Sequence, residues 1–180
     1  MNASKFKEVS ELKSDVWAYM DQAGVCFEAW EKLLGLGYLA APASSKYHLA
    51  VEGGLARHSI NVVNQLTSMR VFYTVASACR VGMLHDLVKM FNYVKTADGY
   101  KRVTAPYPGH GAASVQIAQE LGIELNPEEV AAITWHMGEA GLEGDRLAEY
   151  RAAVKRFPRA VLLTHAADYV ATIEEEGGAK

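Results

Sequence analysis

Val81-Gly82-Met83-Leu84-His85-Asp86-Leu87-Val88-Lys89 is the stretch on which the reading of this sequence turns. It closes a segment, about Thr74 to Met90, that is apolar nearly all round. That pattern predicts a helix at the centre of the fold, covered on every side. Two polar residues stand in its middle. Burying an imidazole and a carboxylate alone is costly, so His85 and Asp86 need partners. Neighbours on a helix diverge by about 100° around its axis, so the two side chains can grip different sides of one site. A His-carboxylate pair serving only to tie helices together would be a poor stabiliser in such a segment.

On the N-terminal side, a helix starting near Gly54 puts Leu55, His58, Val62, Leu66 and Met69 on one stripe, with a histidine where a core residue is expected. Before it, about Ser4 to Met20 forms an amphipathic helix carrying Val9, Leu12, Val16 and Met20, and Gly24 breaks it. A second helix, about Val25 to Leu34, carries Phe27, Trp30 and Leu34. A connection rich in Gly, Pro and Ser follows (Gly35, Gly37, Pro42, Ser44, Ser45).

On the C-terminal side, Phe91 to Gly109 reads as a loop too long to be a mere connector. His110 opens a helix that runs to Leu121 and stops at Gly122. Asn126-Pro127-Glu128-Glu129 is a helix start: a capping Asn, Pro in the first position, Glu three residues after the cap. That helix carries Val130, Ile133, His136 and Met137. A Gly-rich stretch, Gly138–Gly144, precedes a charged helix from about Asp145 to Phe157. The last helix starts at Pro158, reaches Thr172 and carries His165 and Asp168. Glu174-Glu175-Glu176-Gly177-Gly178 reads as a solvated tail. No alternating strand pattern is visible. The expectation is an all-α, single-domain helical bundle of about seven or eight helices. In it, an N-terminal helical pair within residues 1–40 packs on or extends a core spanning 47–174.

Composition agrees with one ordered domain. The chain has 180 residues, 50% of them hydrophobic and 22% charged, with a net charge of -3. Disorder is excluded as the dominant state, and stable duplex nucleic-acid binding is not expected. No apolar run approaches the roughly 18 residues of a membrane helix. Two cysteines, Cys26 and Cys79, make no disulfide framework, and no secretory signal is apparent, so a cytoplasmic location with free thiols is expected.

The informative feature is the histidines. His58, the pair His85-Asp86, His110, His136 and Asp168 fall on successive helices or helix starts, at gaps of 27, 24, 26 and 32 residues. Each gap is about one helix plus one loop, so in a bundle these side chains can converge on one interior point. Four imidazoles and two carboxylates suit two divalent first-row metals, and a carboxylate such as Asp86 has two oxygens with which to bridge them.

The order His58, His85-Asp86, Asp168 resembles the defining pattern of the HD-domain metal-dependent phosphohydrolase superfamily, and His110 and His136 look like the additions of its binuclear members. The likeness spans about Tyr47 to Glu174 and includes Gly53-Gly54-Leu55-Ala56-Arg57-His58-Ser59, Gly109-His110-Gly111, Trp135-His136-Met137 and His165-Ala166-Ala167-Asp168. The resemblance implies hydrolysis of a phosphoester or phosphoanhydride, commonly of a nucleotide, by a metal-activated water. It implies that His58, His85, Asp86 and Asp168 hold a first metal, that Asp86 bridges, and that His110 and His136 hold a second. The metals would be Mn, Fe, Co, Ni, Zn or Mg. Lys89 would face substrate phosphate and join Asp86 in catalysis, with Arg57 a further phosphate contact. The Gly-Tyr-Pro signature of cyclic-di-nucleotide phosphodiesterases is absent, as is the acidic pair after His-Asp seen in some 5′-nucleotidase relatives.

Three other readings compete. In a one-metal nucleotidase, His110 and His136 serve phosphate. A metal-stabilised module senses a nucleotide without turnover. A diiron oxygenase uses the same ligand set. His165, on the face of Asp168, is assigned to orienting a ligand, and Glu52 ranks below Arg57 as a site residue. His48 lies in a loop and receives no role. The pocket wall is expected from Phe91–Gly109 and Gly138–Gly144; Lys95, Lys101 and Arg102 read as a solvated basic loop, ahead of a contact to a polyphosphate or a short oligonucleotide. The N-terminal helical pair either caps the domain or makes a homodimer contact.

Overall fold

The computed structural model of the chain describes residues 9–177. Its elements follow in the order α1 (Val9–Gln22), α2 (Phe27–Gly35), α3 (Gly54–Ser68), α4 (Val75–Leu84), the single turn α5 (Lys89–Asn92), a hairpin of β1 (Tyr93–Thr96) and β2 (Gly99–Arg102), then α6 (Gly111–Glu120), α7 (Pro127–Trp135), α8 (Gly144–Arg156) and α9 (Pro158–Gly177). The fold is mostly helical. No helix among the described residues is long and apolar enough to cross a membrane.

α4 is the central helix. α3, α1, α6 and α7 pack around it, and Ala78, Cys79, Val81, Gly82, Met83 and Leu84 are all buried. Gly82 permits the closest crossing. A Cβ there would stand 2.5 Å from Val63 Cγ2 and 2.9 Å from Val63 N on α3. Thr74 caps the helix, its Oγ1 accepting from Ser77 N–H at 3.1 Å.

The helix does not run on to Met90 as periodicity predicts. Regular α-helix ends at Leu84, and the N–H groups of Leu87, Lys89, Met90 and Phe91 each donate to the carbonyl three residues back. This is 3₁₀-type winding, with about 120° between neighbours. Leu87 and Val88 stay buried through it, so the apolar pattern carries no trace of the change.

The long loop contains the hairpin, and this corrects the all-α expectation. Tyr93 pairs with Arg102, Val94 with Lys101, Lys95 with Tyr100 and Thr96 with Gly99. Both strands are largely exposed, with β1 showing one half-buried residue followed by three exposed ones. Neither face needs apolar side chains, so no alternation marks the strands in the sequence.

α7 starts as its sequence predicts. Asn126 Oδ1 accepts from Glu128 N–H at 2.9 Å and Glu129 N–H at 3.0 Å, while Glu129 Oε2 accepts from Asn126 N–H at 2.9 Å. Glu129 is fully buried, and Arg80 Nη1 on α4 lies 2.8 Å from its Oε1. Arg80 Nε also donates to Ala23 O at 2.8 Å, tying α4 to the residues after α1 as well as to α7.

α1 contributes Leu12, Val16 and Met20 to the main core, and α2 contributes Ala29, Trp30 and Leu33, so the N-terminal pair shares that core with α3 and α4. Residues 4–8 of the expected first helix, and the side chain of Val9, lie outside the described residues. On α2 the buried face is displaced from the expected stripe: Phe27 is exposed and meets the edge of the Trp17 ring, while Leu33 is buried. A small second cluster, Ala131, Trp135, Tyr150 and Val161, seats α8.

The supposed acidic tail is the last turn of α9, which continues past Thr172 to Gly177; Gly178 lies outside the described residues. α9 packs along α3. Gln65 Nε2 donates to Glu174 Oε2 at 2.9 Å and Asn61 Nδ2 to Glu175 Oε1 at 2.7 Å. These partners hold a charged sequence in a helix against its neighbour.

Candidate metal centre

Five elements deliver the polar side chains to one interior point. His58 sits on the buried stripe of α3. His85 is the residue after α4, and Asp86 follows in the tight turns. His110 caps α6 at its N-terminus, His136 ends α7, and Asp168 projects from α9. The approach of α6 to α7 depends on Gly111. A Cβ there would lie 2.2 Å from Ile133 O and 2.5 Å from Thr134 O, both backbone atoms. Only glycine lets His110 come this near to His136.

Asp86 is the hub. Its Oδ1 is 2.6 Å from His110 Nε2 and 3.5 Å from His136 Nε2. Its Oδ2 is 3.2 Å from His85 Nε2, 3.8 Å from His58 Nε2 and 2.6 Å from Lys89 Nζ. Asp168 Oδ1 lies 3.0 Å from His58 Nε2 and 3.8 Å from His85 Nε2. Three overlapping triplets, His58–His85–Asp86, His85–His136–Asp168 and Asp86–His110–His136, each bring one donor atom per residue within 4.8 Å of one another. The two carboxylate oxygens of Asp86 therefore face different histidine pairs.

The imidazoles are oriented from behind. His85 donates its Nδ1–H to Gly82 O at 2.9 Å, and His136 donates to Ile133 O at 2.8 Å. Carbonyls only accept, so Nδ1 carries a proton in both rings and Nε2 is the atom turned inward; burial would lower His136, but Asp86 raises it above the ordinary histidine range. Both Nε2 atoms are buried without a hydrogen bond. Buried polar atoms are rarely left so, and a metal ion completes such an atom. The residues thus fit divalent metal: nitrogen and oxygen donors, no sulfur, a shared carboxylate and ligands fixed by outer hydrogen bonds.

Electrostatics point the same way. Burial pushes His58 down, but its hydrogen bonds to Asp168 and Glu175 outweigh this and raise it to about 9. Burial keeps His85 below the ordinary histidine range, which preserves its lone pair. Burial alone would raise Asp86, yet Lys89, His85 and His110 hold it well below the usual carboxylate range. Asp168 is likewise depressed against its burial, chiefly by the His58 hydrogen bond. Lys89 is buried, and Asp86 keeps it charged despite that burial. The carboxylates here outnumber the lysine, and the excess draws a proton onto His58 that a divalent cation would displace.

Two supporting residues emerge that the sequence did not single out for the site. Glu175, 117 positions from His58, takes its Nδ1–H at 3.1 Å and is held by Asn61. The sequence places Glu175 in a solvated tail; it is half-buried, while Glu174 and Glu176 on either side are exposed. His48 stacks near His58, with ring centroids 5.0 Å apart, and burial with the neighbouring cations pushes it down to about 4. His165 donates to His136 O at 2.7 Å and so steadies the end of α7. Arg57 and Glu52 are not brought to the cluster. Neither lines the cavity above it, and Glu52 meets Lys95 Nζ at 2.8 Å on the surface.

That cavity has a volume of about 450 Å³, and Asp86, Lys89, His110, Asp168, His48 and Arg102 are among the residues that line it. The expected wall of 138–144 takes no part; Ser44 and His48 before α3, with Tyr169 and Thr172 on α9, form that side.

No family model, curated protein or solved structure matches this chain.

Proposed function

We propose that this chain is a metal-dependent phosphohydrolase with a binuclear centre, as its sequence resemblance to the HD-domain superfamily implies, acting on a phosphoester or phosphoanhydride of a nucleotide or related small molecule. One observation carries the reading. Asp86 divides its two oxygens between His58 with His85 and His110 with His136, at the floor of a cavity that also holds the charged Lys89. His58, His85, Asp86 and Asp168 would hold one cation, and Asp86, His110 and His136 the other. Such a pair of cations lowers the pKa of water and neutralises phosphoryl oxygens.

The chain's own groups do the rest. Lys89 brings a fixed positive charge to the cavity, where it can pair with a phosphate oxygen. The carbonyls behind His85 and His136 fix both rings before substrate arrives, so little reorganisation is needed during reaction. Leu84, Leu87 and Ile133, close in sequence to His85, Asp86 and His136, are fully buried. Overall, the oxygen of water bonds to phosphorus and the bond to the leaving oxygen breaks. One water proton ends on the leaving group and the other stays with phosphate.

The test is elemental analysis of wild type and Asp86→Ala after purification without chelators, followed by hydrolysis assays of p-nitrophenyl phosphate and a nucleotide panel with the metal found. About two metals per chain, lost in the variant, with turnover, is the expected result. One metal would reassign His110 and His136 to phosphate. No metal, and none taken up from Mn, Fe, Co or Ni, would refute the reading.

A further inference from the structure

A second cavity, of about 650 Å³, lies beside the one over the metal centre. Val88, Thr104 and Tyr107 form part of its wall. Asn92, Arg102 and His110 line both cavities, so the two meet across these three side chains. His110 is itself 2.6 Å from Asp86. The second cavity therefore begins at the reacting end of the site and leads away from it along the segment that follows the hairpin, residues 103–109.

The junction is polar: Asn92 is buried and Arg102 is exposed. Asn92 is 7% exposed, yet its side-chain amide makes no hydrogen bond to the described residues. That amide faces the cavities and offers them two donors and an acceptor. Arg102 likewise has no ion pair among the described residues. Its place is set by the hairpin: Arg102 pairs with Tyr93, and the next residue, Val103, donates its N–H to Asn92 O at 2.8 Å. The hairpin thus brings the guanidinium and the amide to one wall. No carboxylate lines the second cavity, so an anion there meets donors and no repelling charge. Arg is the side chain best matched to phosphate, through two parallel hydrogen bonds.

Size adds the third argument. The cavity over the metals, about 450 Å³, has room for one nucleotide. The second is larger than the first, and each falls in the range of about 300–1,000 Å³ typical of small-ligand pockets.

We propose that the second cavity receives the leaving group of a dinucleotide-sized phosphoester, whose second phosphate binds Arg102 and whose polar edge meets Asn92. The assignment of the first phosphate to the metal centre rests on the phosphohydrolase reading; binding in the second cavity does not depend on turnover.

The experiment is calorimetric titration of the metal-loaded protein with a phosphorothioate analogue of the 5′-phosphorylated dinucleotide pApA and, in parallel, with AMP. Wild type is expected to bind the dinucleotide at least tenfold more tightly. Arg102→Gln should cut dinucleotide affinity about tenfold and AMP affinity far less. Thr104→Trp, which fills the cavity, should also abolish the preference. Circular dichroism establishes that both variants are folded. Equal wild-type affinities, an equal loss of both ligands in Arg102→Gln, or no dinucleotide binding would overturn the proposal. A dinucleotide preference that depends on Arg102, without hydrolysis under any metal, would uphold the second cavity and refute the hydrolase. Hydrolysis without that preference would do the reverse.

Discussion

Replacing Glu175 by Gln leaves the shape of the last turn of α9 almost unchanged but alters what His58 can do. Glu175 meets His58 Nδ1–H with both oxygens, Oε2 at 3.1 Å and Oε1 at 3.2 Å, and Oε1 also takes Asn61 Nδ2–H at 2.7 Å. Gln offers one acceptor and one donor. If its oxygen stays on Asn61, its NH₂ group faces His58 Nδ1. The neutral imidazole then places its proton on Nε2, the atom that points at Asp168 and Asp86. A protonated Nε2 cannot bind metal. If the oxygen turns to His58 instead, Asn61 loses its acceptor and faces a second NH₂ group. Either arrangement costs about one outer-sphere hydrogen bond, for which losses of roughly 10–100-fold in metal affinity are typical. That is about 1.4–2.7 kcal/mol. Calorimetric titration of chelator-stripped protein with Mn²⁺ measures it directly. The readout distinguishes ligand orientation from folding, because helix content by circular dichroism should stay at the wild-type level. Mn²⁺ affinity within twofold of wild type in folded Glu175→Gln, alongside a large loss in His58→Ala, would refute the argument that Glu175 sets the His58 tautomer.

Arg80→Ala strands the buried Glu129 carboxylate between α4 and α7. Stability should fall by about 3 kcal/mol, a drop in Tm of roughly 6–12 °C by calorimetry; an unchanged Tm would show that the pair contributes nothing. Gly111→Ala drives a methyl group into two backbone carbonyls that have no side-chain freedom to yield. About 1–3 kcal/mol of destabilisation is expected by denaturant titration, together with weaker Mn²⁺ binding as His110 is pushed from Asp86. Cys79 is fully buried, its Sγ 3.2 Å from Gln22 Oε1, and burial pushes its thiol up to about 11. Thiolate is the reactive form and appears only as pH nears that value, so iodoacetamide at pH 8 should label the exposed Cys26 alone. Mass spectrometry showing two adducts on folded protein would contradict this.

Much of the framework is legible in the sequence because its causes are local. The helix carrying His58 starts at Gly54 because the apolar stripe starts there, and Asn126 to Glu129 announce α7 by a cap that closes within four residues. The convergence of His58, His85, Asp86, His110, His136 and Asp168 follows from gaps of about one helix and one loop. Arg57, read from the sequence as a further phosphate contact, does not line the cavity. The hairpin escaped because both its faces are wet, and it carries Arg102 to the wall of the site.

By itself, the sequence determined where most of the helices lie, which helix is central and which side chains are candidates for metal. Those properties rest on periodicity, caps and breakers, all set by residues a few positions apart. Only the tertiary structure decided how the candidates are used. The winding after Leu84 tightens without disturbing an apolar pattern that reads the same in either helix type. The oxygens of Asp86 are divided by where α3, α6 and α7 end. Glu175 becomes the partner of His58 across 117 positions because α9 lies along α3. One glutamate in a run of three looks like its neighbours until packing selects the one that faces inward.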